Sequence, residues 1–135
     1  MAIKDKKLTV SDKQAVTATA VSTDKLDLAA ADTIGFGGGT AVRAVFLVTT
    51  VMDHSHASDG TLTLQVVDAT ADNLTTNQAI IVQTGTIPEA TLVKGFRVEL
   101  PIPAGARQRY LGVRYLVGGT GNFSTGNISA WFEAL

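Results

Sequence analysis

The sequence predicts an all-β protein that forms one domain, a jelly-roll-like β-sandwich of about eight antiparallel strands. Apolar and polar residues alternate with a period of two along much of the chain, and long runs with the 3.6-residue period of amphipathic helices are absent. The alternating runs are rich in Thr and Val, which favour strands. Glycine-rich and polar turns separate these runs, as is typical of a sandwich or a barrel. The pattern also fits an immunoglobulin-like sandwich, and the strand count alone favours the jelly roll.

The individual strands differ in how they are expected to be buried. Residues 43–52 are almost continuously apolar and β-branched, which indicates burial on both faces. Residues 61–69 alternate cleanly and turn Leu62, Leu64 and Val66 to one side. One helical turn is predicted over residues 88–94, followed by Gly95 as its stop. In chain order, the predicted strands span residues 14–21, 25–28, 43–52, 61–69, 78–84, 96–100, 109–117 and 126–134.

Composition and charge exclude several classes of site. The formal net charge of −1 lacks the positive field of a nucleic-acid-binding protein. The absence of cysteine excludes disulfides and thiolate metal sites. The N-terminus has no apolar core of a signal peptide, and no apolar run approaches the ~18 residues of a membrane span. We therefore expect a soluble protein with a flexible N-terminal arm over residues 1–10 and a sandwich domain over residues 11–135.

Short motifs near both ends of the chain carry a likeness to a known family. Their order and spacing resemble the capsid cement (decoration) proteins of tailed bacteriophages, in particular the family of the Bordetella phage cement protein. The likeness spans most of the chain and is loosest over residues 32–77. The matching residues are Ser11, Asp12, Gln14, Ala15, Ser22, Asp27 and Leu28 in the first half, and Arg109, Tyr110, Leu111, Tyr115, Gly119 and Thr120 in the second.

The resemblance implies a structural virion protein that binds the outer surface of an icosahedral phage head and stabilises the capsid. Its implied partners are the major capsid protein and further copies of itself, with a homodimer favoured and a trimer as the alternative. Its location would be the outer capsid surface of the virion, and the host cytoplasm before assembly. The family has no established catalytic residues to carry over, so we expect neither an enzyme nor a cofactor, and neither nucleic acid nor a membrane as partner.

Six residues are candidates for contact with the capsid or with a second copy of the chain. Three are lysines of the N-terminal arm, which suits an acidic capsid surface, although a solvated terminus explains them equally well. The other three combine arginine with tyrosine, as protein interfaces favour. Trp131 is instead expected in the core beside Ile128 and Phe132. The six candidates are Lys4, Lys6, Lys7, Arg107, Arg109 and Tyr110.

Other kinds of site find little support in the sequence. His54 and His56 would share one face of an extended segment, with Asp53 or Asp59 as a third metal ligand. A solvated polar turn is the favoured interpretation of this segment, so no metal site is predicted. The glycine run over residues 35–39 lacks the lysine of a phosphate-binding loop and is interpreted as an ordinary loop.

Two alternative functions come from other classes. A carbohydrate-binding jelly-roll module of a tail fibre or spike would need exposed aromatic platforms, and aromatic residues make up 6% of the chain. A cupin-like metalloenzyme would need more ligands than two loop histidines provide.

Overall fold

The computed structural model describes residues 8–27, 42–54, 60–103, 108–118 and 123–134, which form two antiparallel β-sheets packed against each other. Sheet A has the strand order β1-β10-β4-β8, and sheet B has the order β2-β9-β5-β6, with β3 also on β9 and β7 also on β5. The strands of the described residues are β1 (Thr9–Ala15), β2 (Ala20–Val21), β3 (Leu26–Asp27), β4 (Val42–His54), β5 (Thr61–Ala69), β6 (Ala79–Gln83), β7 (Ile87–Pro88), β8 (Arg97–Ile102), β9 (Tyr110–Gly118) and β10 (Phe123–Ala134).

The strand order confirms the predicted jelly-roll-like sandwich. Strands β2 and β3 pair with successive parts of β9, and β6 and β7 pair with successive parts of β5. The ten described strands therefore fill eight positions, four in each sheet. The first strand pairs with the last, and β2 pairs with β9, so each sheet combines strands from both ends of the chain. This nesting of the chain's two halves is that of a jelly roll.

The core lies between the two sheets and is filled by alternate residues of each strand. Leu62, Leu64 and Val66 of β5 all face it, as the alternation predicted. From sheet A, the Phe46 ring meets the Tyr115 ring of sheet B edge-on, with centroids 6.2 Å apart and planes at 82°. Edge-to-face contacts of this kind are favoured by the ring quadrupoles.

The prediction of one strand over residues 14–21 was wrong. Strand β1 ends at Ala15, and only Ala20 and Val21 form β2. Lys13 has a φ of 50°, and the pairing of β1 with β10 shifts register twice, yet β1 stays on β10 as far as Ala15. The alternation of Thr and Ala continues through a turn that carries the chain from one sheet to the other, and this turn interrupts the strand.

The sandwich takes in residues that the sequence assigned to the N-terminal arm. Thr9 pairs with Trp131 of β10, and Val10 is fully buried in the core. Leu8 packs against the same core from a half-buried position.

The predicted helical turn is present as a short 3₁₀ turn over Glu89–Thr91. Pro88 occupies the extended position before the turn, with φ −72° and ψ 152°, and does not form its first residue. Gly95 adopts a φ of 93°, which suits its predicted role as a stop. No helix of the described chain is long and apolar enough to span a membrane.

A side chain from a loop covers part of the outer face of sheet B. Leu74, in the connection between β5 and β6, has a φ of 61° and is 1% exposed. It lies over Gly112 of β9, where an added Cβ would collide with Leu74 Cδ1. The loop is held by Asn73, whose Oδ1 accepts the N–H groups of Thr75 and Thr76 at 2.9 and 3.1 Å. A glycine in β9 therefore makes room for a loop that closes over the sheet.

Candidate interaction surfaces

The outer face of sheet A carries two arginines and two glutamates that pair with one another. Arg43 Nε donates to Glu133 Oε1 at 2.8 Å, and its Nη1 lies 3.5 Å from Glu99 Oε1. Arg97 Nη2 donates to Glu99 Oε2 at 2.9 Å and lies 3.6 Å from Glu133 Oε1. Strand register brings them together, because Glu133 pairs with Arg43 and Val45 pairs with Glu99. We call these four residues the sheet A ion network, and its formal charge is zero.

Trp131 lies at the edge of this network and not among the core residues that the sequence placed beside it. It is 7% exposed, so the expected burial is confirmed. However, Ile128 and Phe132 belong to the core cluster between the sheets, whereas Trp131 pairs with Val45 and stands under Arg97. The guanidinium carbon of Arg97 lies 5.6 Å from the centre of the indole, a distance at which a cation is attracted by the ring. The alternation of β10 turns residues 131 and 132 to opposite faces.

Arg109 and Tyr110 form a second surface feature where β3 meets β9. Arg109 donates twice to Asp27, from Nε to Oδ1 at 3.0 Å and from Nη2 to Oδ2 at 3.1 Å. Its guanidinium carbon stands 5.1 Å from the centre of the Tyr110 ring. The hydrogen bond to Asp27 and the charge of that carboxylate raise the pKa of Arg109 above its ordinary value. The predicted arginine–tyrosine pair therefore exists as a pre-oriented cation, although one side of it already contacts a carboxylate.

The backbone before this pair is fixed by a contact that the sequence did not reveal. Asp68 of β5 is 5% exposed, and its Oδ2 accepts the backbone N–H of Gln108 at 2.9 Å. The Gln108 side chain returns two bonds, from Nε2 to Asp68 Oδ1 and to the Asn77 carbonyl, each at 2.8 Å. In the sequence, the only sign of this contact is an Asp at position 68, near the end of an alternating strand. Its partner Gln108 lies 40 residues away, so the alternation pattern could not identify it.

Several sequence-predicted positions lie outside the described residues. These are Lys4, Lys6, Lys7 and Arg107 among the contact candidates, and His56 and Asp59 of the possible metal site. Within the described residues, no group of three His, Cys, Asp or Glu side chains is arranged to hold a metal ion.

A scan against family models places the chain in a known family. The model of the Bbp16 family matches residues 10–132, from the first strand to near the end of the last. No curated protein matches the sequence. The family's name indicates a protein of a Bordetella phage. Because the match covers more than nine-tenths of the residues, this chain belongs to the Bbp16 family.

Proposed function

We propose that this protein is a capsid cement protein, which binds the outer surface of an icosahedral phage head and stabilises the assembled shell. The observation that carries the proposal is the family match over residues 10–132. It covers nearly the whole sandwich, so the family's role belongs to the sandwich itself and not to an attached segment. The name of the family indicates a phage, and the sequence motifs resemble the cement proteins of such phages.

The arrangement of side chains supports a role for the exterior of the sandwich. Apolar residues of both sheets fill the space between them. The paired charges and the stacked cations described above lie on the outside, where they are held in fixed positions by strand register. A rigid surface with pre-oriented side chains loses little conformational entropy on binding, which favours affinity.

The proposed mechanism is mass action on the shell. A protein that binds the assembled capsid and not its free subunits shifts the equilibrium towards the shell by an amount that grows with its concentration relative to Kd. Self-association would let one cement particle hold two capsid subunits at once and would add avidity. We propose a homodimer as the simplest such particle, with a trimer as the alternative, and the major capsid protein as the partner. This function requires neither catalysis nor a cofactor.

The contact candidates remain part of this proposal. Arg109 and Tyr110 offer a fixed cation beside an aromatic ring, a combination that protein interfaces favour. The lysines of the N-terminal arm would add attraction to an acidic shell, and they would act mainly on the rate of association. For the tail-fibre alternative, the described residues offer two partly exposed aromatic side chains, Phe96 and Tyr110, and the other described aromatic side chains are buried.

The proposal is tested by incubating purified protein with unexpanded and expanded capsid shells. Co-sedimentation with expanded shells and a higher rupture temperature of the loaded shells are expected. The double variant Arg109→Ala/Tyr110→Ala should bind more weakly, whereas Ser124→Ala, which alters an exposed hydroxyl bonded to the Asp53 carbonyl at 2.9 Å, should bind like the wild type. Absence of wild-type binding together with an unchanged rupture temperature would refute the function. Analytical ultracentrifugation separates the dimer from the trimer.

A further inference from the structure

A shallow groove crosses the outer face of sheet A beside the ion network. Its volume is about 310 Å³. Leu47 and Thr49 of β4 turn their side chains to this face, and Val48 between them turns its side chain into the core. Lys13 lines one side and Lys94 lines the other, next to Gly95. We call this the two-lysine groove.

The sheet register explains why two lysines so far apart in sequence line one groove. Gln14 pairs with Ile128 of β10, and Ile128 pairs with Val48 of β4. On the other side of β4, the N–H of Gly95 donates to the Val48 carbonyl at 2.8 Å. Lys13 and Lys94 thus flank the same row of residues from opposite edges of the sheet. Three strand spacings of about 4.8 Å separate the two backbones, or roughly 14 Å.

The charge of this groove is not neutralised by neighbouring residues. The arginines of the sheet A ion network are matched by its glutamates. Within the described part of the chain, by contrast, no carboxylate lies within ion-pair distance of Lys13 or Lys94. Asp12 precedes Lys13 in the chain but does not line the groove. The groove is therefore a local positive site on a protein whose formal net charge is −1.

Exposed apolar side chains lie at the same end of sheet A. Val93, which precedes Lys94, is 50% exposed. Val51, two residues beyond Thr49 on β4, is 46% exposed. Together with Leu47, these two valines add apolar surface beside the two lysines. A ligand matched to this surface combines negative charge with an apolar group.

We propose that the two-lysine groove binds an extended acidic segment of a protein partner, with a carboxylate at each lysine and an apolar side chain over Leu47. An extended chain rises about 3.3 Å per residue, so four residues span the roughly 14 Å between the lysine backbones. Residues i and i+4 of such a segment point the same way, and residue i+2 between them points into the groove. The fitting sequence is therefore acidic–x–apolar–x–acidic. This inference rests on the proposed function in that the partner is then a surface segment of the capsid protein.

Nucleic acid is the weaker candidate for this groove. Two lysines on a protein of slightly negative charge provide little of the field that attracts a phosphate backbone. The groove also offers no aromatic ring on which a base could stack, because none of the described residues that line it is aromatic.

The inference is tested first with a peptide, independently of any capsid. The probe is a fluorescein-labelled peptide with the core Glu-Thr-Leu-Thr-Glu between Gly-Ser flanks, titrated with the full-length protein and followed by anisotropy. Binding is expected to weaken about tenfold or more in Lys13→Glu/Lys94→Glu, to be retained in Lys13→Arg/Lys94→Arg, and to weaken with added salt. Lys25→Glu is the matched control, because Lys25 directly precedes β3 of sheet B and its Nζ lies 3.9 Å from Asp72 Oδ2. Thermal unfolding confirms that each variant is folded.

The same variants are then compared on expanded shells. The Glu double variant should lose affinity for shells to a degree similar to its loss for the peptide, while the Arg double variant and Lys25→Glu should not. Equal peptide binding by wild type and Glu double variant, or equal binding of a Lys-Thr-Leu-Thr-Lys peptide or of a dT oligonucleotide, would overturn the groove assignment. Wild-type binding to shells with no effect of the Glu double variant would overturn it as well and leave the proposed function standing. Failure of the wild type to bind shells would refute the proposed function, and the peptide titration alone would then decide the groove.

Discussion

Replacing Ser11 by alanine is expected to destabilise this protein more than replacing Tyr115 by phenylalanine, although both changes remove the same hydrogen bond. Tyr115 Oη donates to Ser11 Oγ at 2.8 Å, and both residues are 0% exposed. Ser11 lies in β1 of sheet A and Tyr115 in β9 of sheet B, so the bond crosses the core between the sheets. Ser11 Oγ in turn donates to Gln14 Oε1 at 2.6 Å.

The two variants leave different groups without a partner. Ser11→Ala leaves the Tyr115 hydroxyl proton buried among apolar side chains, and a buried unsatisfied donor costs about 1–3 kcal/mol. Tyr115→Phe removes that proton, and Ser11 still donates to Gln14, so the loss is about 0.5–1.5 kcal/mol. Gln14 Oε1 keeps the Thr23 N–H at 3.0 Å in either variant. The double variant should lose less stability than the sum of the two single variants, because it leaves no orphaned hydroxyl.

Denaturant unfolding of the three variants and the wild type measures this difference. The free energies are comparable if the slope m is the same for all four proteins. Ser124→Ala removes an exposed hydroxyl and should stay within about 0.5 kcal/mol of the wild type. Strict additivity, or a loss in Ser11→Ala no larger than that in Tyr115→Phe, would refute the bond across the core.

Three further predictions concern pH, packing and charge. Burial holds the pKa of Tyr115 above its ordinary value of about 10, so the unfolded chain loses the hydroxyl proton first as pH rises. The free energy of unfolding should therefore fall by about 1.4 kcal/mol per pH unit above pH 10. Denaturant unfolding at a series of pH values measures this fall, which should be absent in Tyr115→Phe. Gly112→Ala should cost about 1–3 kcal/mol of unfolding free energy, since its Cβ would meet Leu74 and Ser22 Oγ. A Leu74→Ala background should reduce this cost but not remove it, because the contact with Ser22 remains, and urea unfolding of the four proteins measures the difference. Glu133→Gln should destabilise the protein to urea more than Glu99→Gln does, because the Glu133 side chain is 6% exposed and that of Glu99 is 39% exposed. The expected losses of unfolding free energy are about 1.5–3 kcal/mol for Glu133→Gln and under about 1 kcal/mol for Glu99→Gln. Equal losses would contradict the described network.

Alternation of apolar residues was enough to predict the sandwich and most of its strands. Strand β5 runs over Thr61–Ala69 with Leu62, Leu64 and Val66 inward, as expected from a period of two. The same rule failed over residues 14–21, because the chain crosses from sheet A to sheet B between Ala15 and Ala20 while Thr and Ala continue to alternate. A turn whose residues alternate like those of a strand cannot be recognised from a period of two.

Burial was easier to predict than the direction in which a buried side chain points. Trp131 is buried as expected, yet it stands under Arg97 on the outer face of sheet A and not beside Phe132. A tryptophan among apolar neighbours in a strand is equally compatible with either face. The choice depends on which residues of β4 and β8 lie opposite, and these are distant in sequence.

The two candidate surfaces differ in whether their residues are close in sequence or only close in space. Arg109 and Tyr110 are adjacent along the chain, so their pairing was predictable from the sequence. Lys13 and Lys94 meet at one groove because the jelly roll pairs its first strand with its last, and no local motif marks either residue. A slip of one residue in β1 would turn Lys13 to the other face of sheet A, and the groove would lose one of its cations. For the binding surface that we propose, strand register therefore determines which residues lie together, and a motif search can detect only the part that lies within a single strand.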